Sequence, residues 1–205
     1  MYGQEGIQTL ASGGKGPLRL NTEGGLVVSQ AHGKYYEAVK AGRVYVVANQ
    51  AAVALTAAMA TTYTGLVLFN PSTSTKNFVM LGCGYATTVA VPTATVLGLM
   101  TGTVVTAATM DAATAVTPRN RLIGTTNTSS AIVDNGCTLN GTPVLEQVFG
   151  SAWTEATTAG TVGPTTWQDL DGSMIIQPNS YVAFYSFAAN TAAFILSFMW
   201  EEVPR

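Results

Sequence analysis

The stretch SMIIQPNSYVAFYSFAANTAAFILSFMWEE, Ser173–Glu202, decides how this chain is read. It holds the densest run of aromatic and β-branched residues in the sequence, in three apolar segments: Met174–Ile176, Tyr181–Phe187 and Phe194–Trp200. The joints between them have turn chemistry. In Pro178-Asn179, proline presets φ at the second position of a tight turn and asparagine tolerates positive φ at the third. Ala188–Ala193, centred on Asn190 and Thr191, reads as a hairpin loop. The expectation is two long strands in an antiparallel hairpin, with a third strand leading in.

The faces of those two strands carry the next step. Phe194, Leu196, Phe198 and Trp200 fall on one face of the last strand, and Ile195, Ser197, Met199 and Glu201 on the other. On the strand before it, Tyr181, Ala183, Tyr185 and Phe187 oppose Val182, Phe184 and Ser186. A half-exposed strand alternates apolar with polar residues; these are apolar on both faces for most of their length. One face fills a core. The other needs a cover, from a second element of the chain or from another subunit. No long amphipathic helix is visible, so the expectation is a subunit interface at Tyr181, Tyr185, Phe187, Ile195 and Met199. Tyr181–Trp200 is also uncharged and about the length of a membrane-spanning helix. Asn190, Thr191 and two serines interrupt it, and Glu201 and Glu202 follow it where Lys or Arg would suit a membrane boundary. Its aromatic content suits strands. No membrane span is expected.

Outward from this block, the 205 residues suit one domain with an extension, long enough to bury a core. Charged residues make up 10% of the chain, against about 25% in ordinary globular domains. Such a surface is poor at keeping monomers apart and suits a protein that works inside an assembly. The net charge of -2 and the lack of any basic cluster argue against a nucleic-acid partner. The N-terminus has no basic segment followed by an apolar one, so no secretory signal is expected. Cys83 and Cys137 can pair, but without export a pair of reduced, partly buried thiols is the commoner state.

Residues 1–25 are glycine-rich and aperiodic, with Ile7, Leu10, Leu18 and Leu20 spaced through them. Two readings stand: an unstructured tail, or an extended arm that docks those residues on a neighbour. From Leu26 the texture becomes strand-like. Strands are expected at Leu26–Ser29, Arg43–Ala48, through 49–61 on the alternation of Val53 and Leu55, and at Gly65–Asn70. Residues 30–42 read as a short helix or a wide hairpin. The turn Pro71–Thr75 would hand Gly65–Asn70 to a partner at Asn77–Thr88, where Gly82 and Gly84 mark a bulge or a close backbone approach. Further strands are expected at Val96–Thr106, Pro118–Ile123, Ala131–Asp134 and Pro143–Phe149, with a short helical turn at Ala107–Ala115 and a loop at Gly150–Pro164. Asn135-Gly136 and Asn140-Gly141 are turn dipeptides. This pattern predicts an all-β chain: an antiparallel, jelly-roll-like β-sandwich over 26–205 behind an N-terminal arm over 1–25.

Little in the chain suggests catalysis. His32 is the lone histidine, and no serine or cysteine sits in a nucleophile-elbow setting. One histidine also argues against a histidine-based metal site. Asp169-Leu170-Asp171-Gly172 opens like a calcium loop but lacks the later oxygen ligands; a turn before a strand explains it better. Glu201 and Glu202 are adjacent on a strand, so they face opposite sides and form no carboxylate pair. Trp153, Trp167 and Trp200 can stack on sugars or anchor a core or interface. The expectation is a protein that is not an enzyme and holds no cofactor or metal.

Two blocks carry a family likeness: GLVVSQAHGKYYEAVKAGRVY, residues 25–45, and SYVAFYSFAANTAAFILSFMWEEVP, residues 180–204. Together they resemble small structural proteins of tailed bacteriophages. There an ELVV…HGKYYE…GxVF opening precedes a jelly-roll-like body closing on FxxSFxWEE. Gly25 stands here where that pattern has glutamate. The resemblance covers about a quarter of the chain and gives no match over residues 50–165. It implies a virion component, most simply a capsid decoration (cement) protein assembled in the host cytoplasm. By the same resemblance such a protein would be a homo-oligomer, a trimer, seated on the major capsid protein, with Ile7, Leu10, Leu18 and Leu20 as arm contacts. Two other readings remain: a tail- or fibre-associated module that binds host carbohydrate, and a sandwich hydrolase.

Overall fold

In the computed structural model, which describes residues 33–103, 114–154, 165–190 and 194–205, apolar alternation has become strand nearly everywhere. The described elements are helix α1 (Tyr36–Lys40) and strands β1 (Val44–Ala48), β2 (Thr62–Asn70), β3 (Lys76–Thr87), β4 (Thr95–Thr103), β5 (Arg119–Asn120), β6 (Ile132–Thr138), β7 (Val144–Ala152), β8 (Thr165–Ile176), β9 (Ser180–Ser186) and β10 (Phe194–Pro204). They form two five-stranded sheets, β5-β1-β10-β3-β8 and β6-β2-β9-β4-β7. Every described pairing is antiparallel. With the edge strands β5 and β6 set aside, successive strands change sheet at every step except β4–β7. That is the connectivity of a jelly roll, so the expected fold class is met.

The two sheets meet through the residues that alternation assigned to the inner face of the last strand. Phe194, Leu196, Phe198 and Trp200 are all fully buried. Phe198 lies in register with Cys83 and Val47, and Trp200 with Met80 and Tyr45. From the other sheet Phe184 stacks on Phe198 and Phe149 meets Phe184 edge-on. Asn49 extends this seam past the end of β1: its side chain donates to the Phe194 carbonyl and accepts from the Leu196 amide.

The structure corrects several local expectations. β9 and β10 do not form a hairpin. They lie in opposite sheets and face each other, because that arrangement buries Phe184 against Phe198, whereas side-by-side pairing would leave both rings needing another layer. The same holds for β2 and β3, which are also in opposite sheets. Residues 49–61 form no regular strand; they contribute only the bridges Val53–Phe194 and Ala58–Ser186. Asn135-Gly136 is not a reversal but lies inside β6, where Gly136 (φ 83°) sits beside a register shift against β2. Asp169–Gly172 belongs to β8: Met174 pairs with Met80 and Asp169 with Gly82, so residues 170–173 bulge opposite Leu81. Asp171 (φ 50°) and Gly172 (φ 82°) make that bulge left-handed. The turn at Pro178-Asn179 forms as expected, with Asn179 at φ 70°.

The strand expected at Leu26–Ser29, most of the helical turn at Ala107–Ala115 and much of the loop at Gly150–Pro164 lie outside the described residues. Residues 30–42, where described, supply the short helix α1.

Candidate interaction surface

β9 tests the idea that a sister chain covers the outer strand faces. Phe184 points into the core, so Tyr181, Ala183 and Tyr185 point outward. Even so, all three are buried. β6 and β7 occupy opposite edges of their sheet, so residues 139–143 must span its width. Leu139 and Pro143 of this link are buried, and the Tyr181 hydroxyl donates to the Asn140 carbonyl at 3.1 Å. The tyrosine ring lies over Gly102, where an added Cβ would come within 2.5 Å of its oxygen. Burial pushes the Tyr181 phenol up to about 12. Tyr181 and Tyr185 are therefore covered by their own chain, and the interface expected at these two has no open surface. Alternation detected that a cover was needed, but it could not distinguish a crossing link from a second subunit.

The other three expected interface residues are at the surface. Phe187 is 64% exposed, and its amide donates to the Val96 carbonyl. Val96 is itself exposed, as is Val148, the register partner of Gly98 on β7. These residues make an apolar patch at the β4–β7 edge. Ile195 and Met199 are half-buried on the outer face of the first sheet. Across that face Met199 pairs with Gly82 and Ser197 with Gly84. Gly84 in turn pairs with Trp167.

β7 and β8 end their sheets on the same side of the sandwich. Both line a cleft of about 760 Å³, β7 through Val144 and Glu146 and β8 through Met174 and Ile175. Val144, Val148, Trp167 and Ile175 on these two strands are exposed. The edges are blunted against strand addition by the bulge in β8 and by two register shifts between β4 and β7. What this side offers a partner is side chains rather than a free backbone ladder.

The opposite side is pinned. Glu202 points inward from β10 and is 1% exposed. Its carboxylate accepts from Lys76 Nζ at 2.7 Å, Ser129 Oγ at 2.5 Å, Ser130 N at 2.9 Å and Ser130 Oγ at 2.7 Å. Burial alone would raise its pKa, but these donors outweigh it and hold the carboxyl below its ordinary value. Glu201, one residue away, faces out and pairs with Arg43 at 3.0 Å. The two glutamates thus take opposite sides, as strand geometry requires.

Among the described residues the remaining candidates stand apart from one another. Cys83 and Cys137 are free, buried and in opposite sheets, and burial pushes both thiols up to about 12. Trp200 is a core residue, while Trp153 and Trp167 are exposed. His32 and the arm residues Ile7, Leu10, Leu18 and Leu20 lie outside the described residues. Among the described residues no three His, Cys, Asp or Glu side chains group as metal ligands, and no helix is long and apolar enough to cross a membrane. Tyr181–Trp200, the stretch of membrane-span length, contributes to strands β9 and β10. Neither a family model, nor a curated protein, nor a solved structure matches this chain.

Proposed function

We propose that this chain is a structural subunit of a tailed-phage particle, a decoration protein that seats on the major capsid protein and works as a homo-oligomer, with three copies as the simplest arrangement. The observation that carries this reading is the Phe187–Val96–Val148 patch beside the β7 edge. A large, two-thirds exposed aromatic flanked by exposed valines is the kind of centre from which a stable contact is built. The likeness of residues 25–45 and 180–204 to phage structural proteins supplies the class of partner. The jelly roll is a fold used in viral capsids, and also in lectins, so it supports the reading without selecting it. The low charge of the chain fits a molecule that spends its life packed against neighbours.

The test is co-sedimentation. Purified chain is mixed with phage shells emptied of DNA, and its mass in solution is measured by light scattering. The expected result is saturable binding by an oligomer, with Phe187→Asp abolishing shell binding or oligomerisation while the fold survives. A monomer that leaves the shells bare would overturn the proposal.

A further inference from the structure

The outer face of the first sheet carries a feature that shell docking does not require. Trp167 of β8 sits beside β3 at the two glycines of its outward row. A Cβ added to Gly82 would lie 2.6 Å from Trp167 Cζ2, and one added to Gly84 would lie 2.7 Å from Cε3. Opposite sides of the six-membered ring therefore stand over successive outward positions of one strand. The indole lies flat on the sheet, a posture that only residues without a side chain permit. One ring face is packed and the other is open, which accounts for an exposure of 49%. The ring is also fixed in its plane, since Nε1 donates to Asp169 Oδ1 at 2.8 Å.

We propose that Trp167 is the floor of a binding site for a neutral pyranose unit. An indole face is electron-rich and its edge electron-poor. A pyranose presents the complement: a flank of polarised C–H groups to lie on the ring and hydroxyls at the perimeter to meet polar neighbours. Those neighbours are present. Asp169 spends one oxygen on the indole and keeps Oδ2 as an acceptor for a hydroxyl. Ser197, the register partner of Gly84, adds a hydroxyl on the β10 side. The local carboxylate disfavours an anionic ligand, and a net charge of -2 without a basic cluster disfavours a nucleobase on a phosphate chain. The platform is preorganised, because the ring needs no rearrangement to accept a stacked ligand.

This site is independent of the shell-binding reading, and its assay uses the isolated full-length chain. In a Trp153→Phe background Trp167 is the exposed indole among the described residues, because Trp200 is buried. Tryptophan emission is titrated with maltohexaose, chitohexaose and a galactan oligosaccharide, and with tetramethylammonium chloride as a cationic probe. A saturable change is expected with at least one sugar. Trp167→Ala should weaken binding by about tenfold or more, on the scale of one aromatic stacking contact. Its affinity is read by calorimetry, and an unchanged thermal midpoint shows that the fold is kept. Asp169→Ala should weaken binding by about tenfold through loss of a charge-assisted hydrogen bond and release of the ring. Trp167→Phe should retain part of the affinity. Three results would each overturn the site: no saturable change with any of the sugars, binding that survives Trp167→Ala, or a response to tetramethylammonium alone. If no sugar binds and Trp167→Ala abolishes shell co-sedimentation, the ring is a protein contact, and the sugar site fails while the decoration role stands.

Discussion

Phe184 of β9 and Phe198 of β10 stack with ring centroids 4.7 Å apart and planes 28° from parallel, joining the two sheets at the centre of the sandwich. Both rings are buried, and Phe149 closes on Phe184 from β7. Truncating either ring leaves a cavity between two sheets that are each held by their own ladders and cannot collapse onto it. Phe198→Ala should lower unfolding stability by about 4 kcal/mol, and Phe184→Ala by a similar amount. Because the rings touch, the double variant should fall short of the sum by about 1 kcal/mol. Urea unfolding of the four proteins measures this; strict additivity would mean the stack contributes nothing beyond its buried area.

Glu202 should set the acid limit of the fold. Its carboxyl is held below the ordinary value by Lys76, Ser129 and Ser130 in the folded chain and by nothing comparable in the unfolded one. A group with a depressed folded pKa contributes its stability above the unfolded value and loses it as pH falls through the folded value. Stability should therefore be level near neutrality and decline below about pH 4.5. Glu202→Gln should remove most of this dependence and cost about 2 kcal/mol at pH 7, because an amide cannot accept from every donor around it. Thermal melts of both proteins from pH 7 to pH 3 give the comparison. Parallel curves would show that other carboxyls carry the acid response.

Gly84 is fixed by what lies above it. An added Cβ would meet the Trp167 ring at 2.7 Å and the Thr166 carbonyl at 2.9 Å, and the second of these is backbone that cannot swing aside. Gly84→Ala should lift the indole and loosen the β3–β8 ladder together. The expected signs are a red shift of tryptophan emission and a loss of about 2 kcal/mol. Gly82→Ala meets the ring at 2.6 Å but the nearest backbone atom, the Gln168 carbonyl, only at 3.1 Å, so it should cost less. Equal costs at the two positions would count against the flat-ring geometry.

Much of this architecture was legible in the chain. Period-2 alternation assigned the inner face of β10 correctly, while Gly82 and Gly84, expected as a bulge or a close backbone approach, have a register shift beside Gly82 and the Trp167 ring over both. Strand partners were less legible. Pro71–Thr75 and Ala188–Ala193 have turn composition, yet both connect different sheets; for the second, burial of Phe184 and Phe198 against each other outweighs the shortest local link. The cover on Tyr181 includes Asn140, about forty positions upstream, and no local pattern carries a contact of that separation. The outward placing of Phe187, Ile195 and Met199 was legible because they are large apolar residues that strand alternation sets away from the core. Asp171-Gly172 was legible as a site of positive φ, but a turn and a bulge demand the same residues.

The two thiols provide a last check on how closed the sandwich is. Cys83 pairs in register with Phe198 on the inner face, and Cys137 on β6 lies opposite Tyr63. Burial pushes both up to about 12, and Asp134 adds to the rise at Cys137. The thiolate is the reactive form, so at pH 8 only about one thiol in ten thousand is ionised at either site. An aromatic disulfide reagent should leave both unreacted in the native protein over minutes and titrate both at once in urea. Their slow native reaction should follow the unfolding equilibrium, with Phe198→Ala accelerating it in proportion to lost stability. If Cys137 reacts quickly while Cys83 stays silent, β6 opens from its edge separately from the core. That would fit its position outside the eight strands of the jelly roll, since an edge strand is held by one ladder where Cys83 on β3 is held by two.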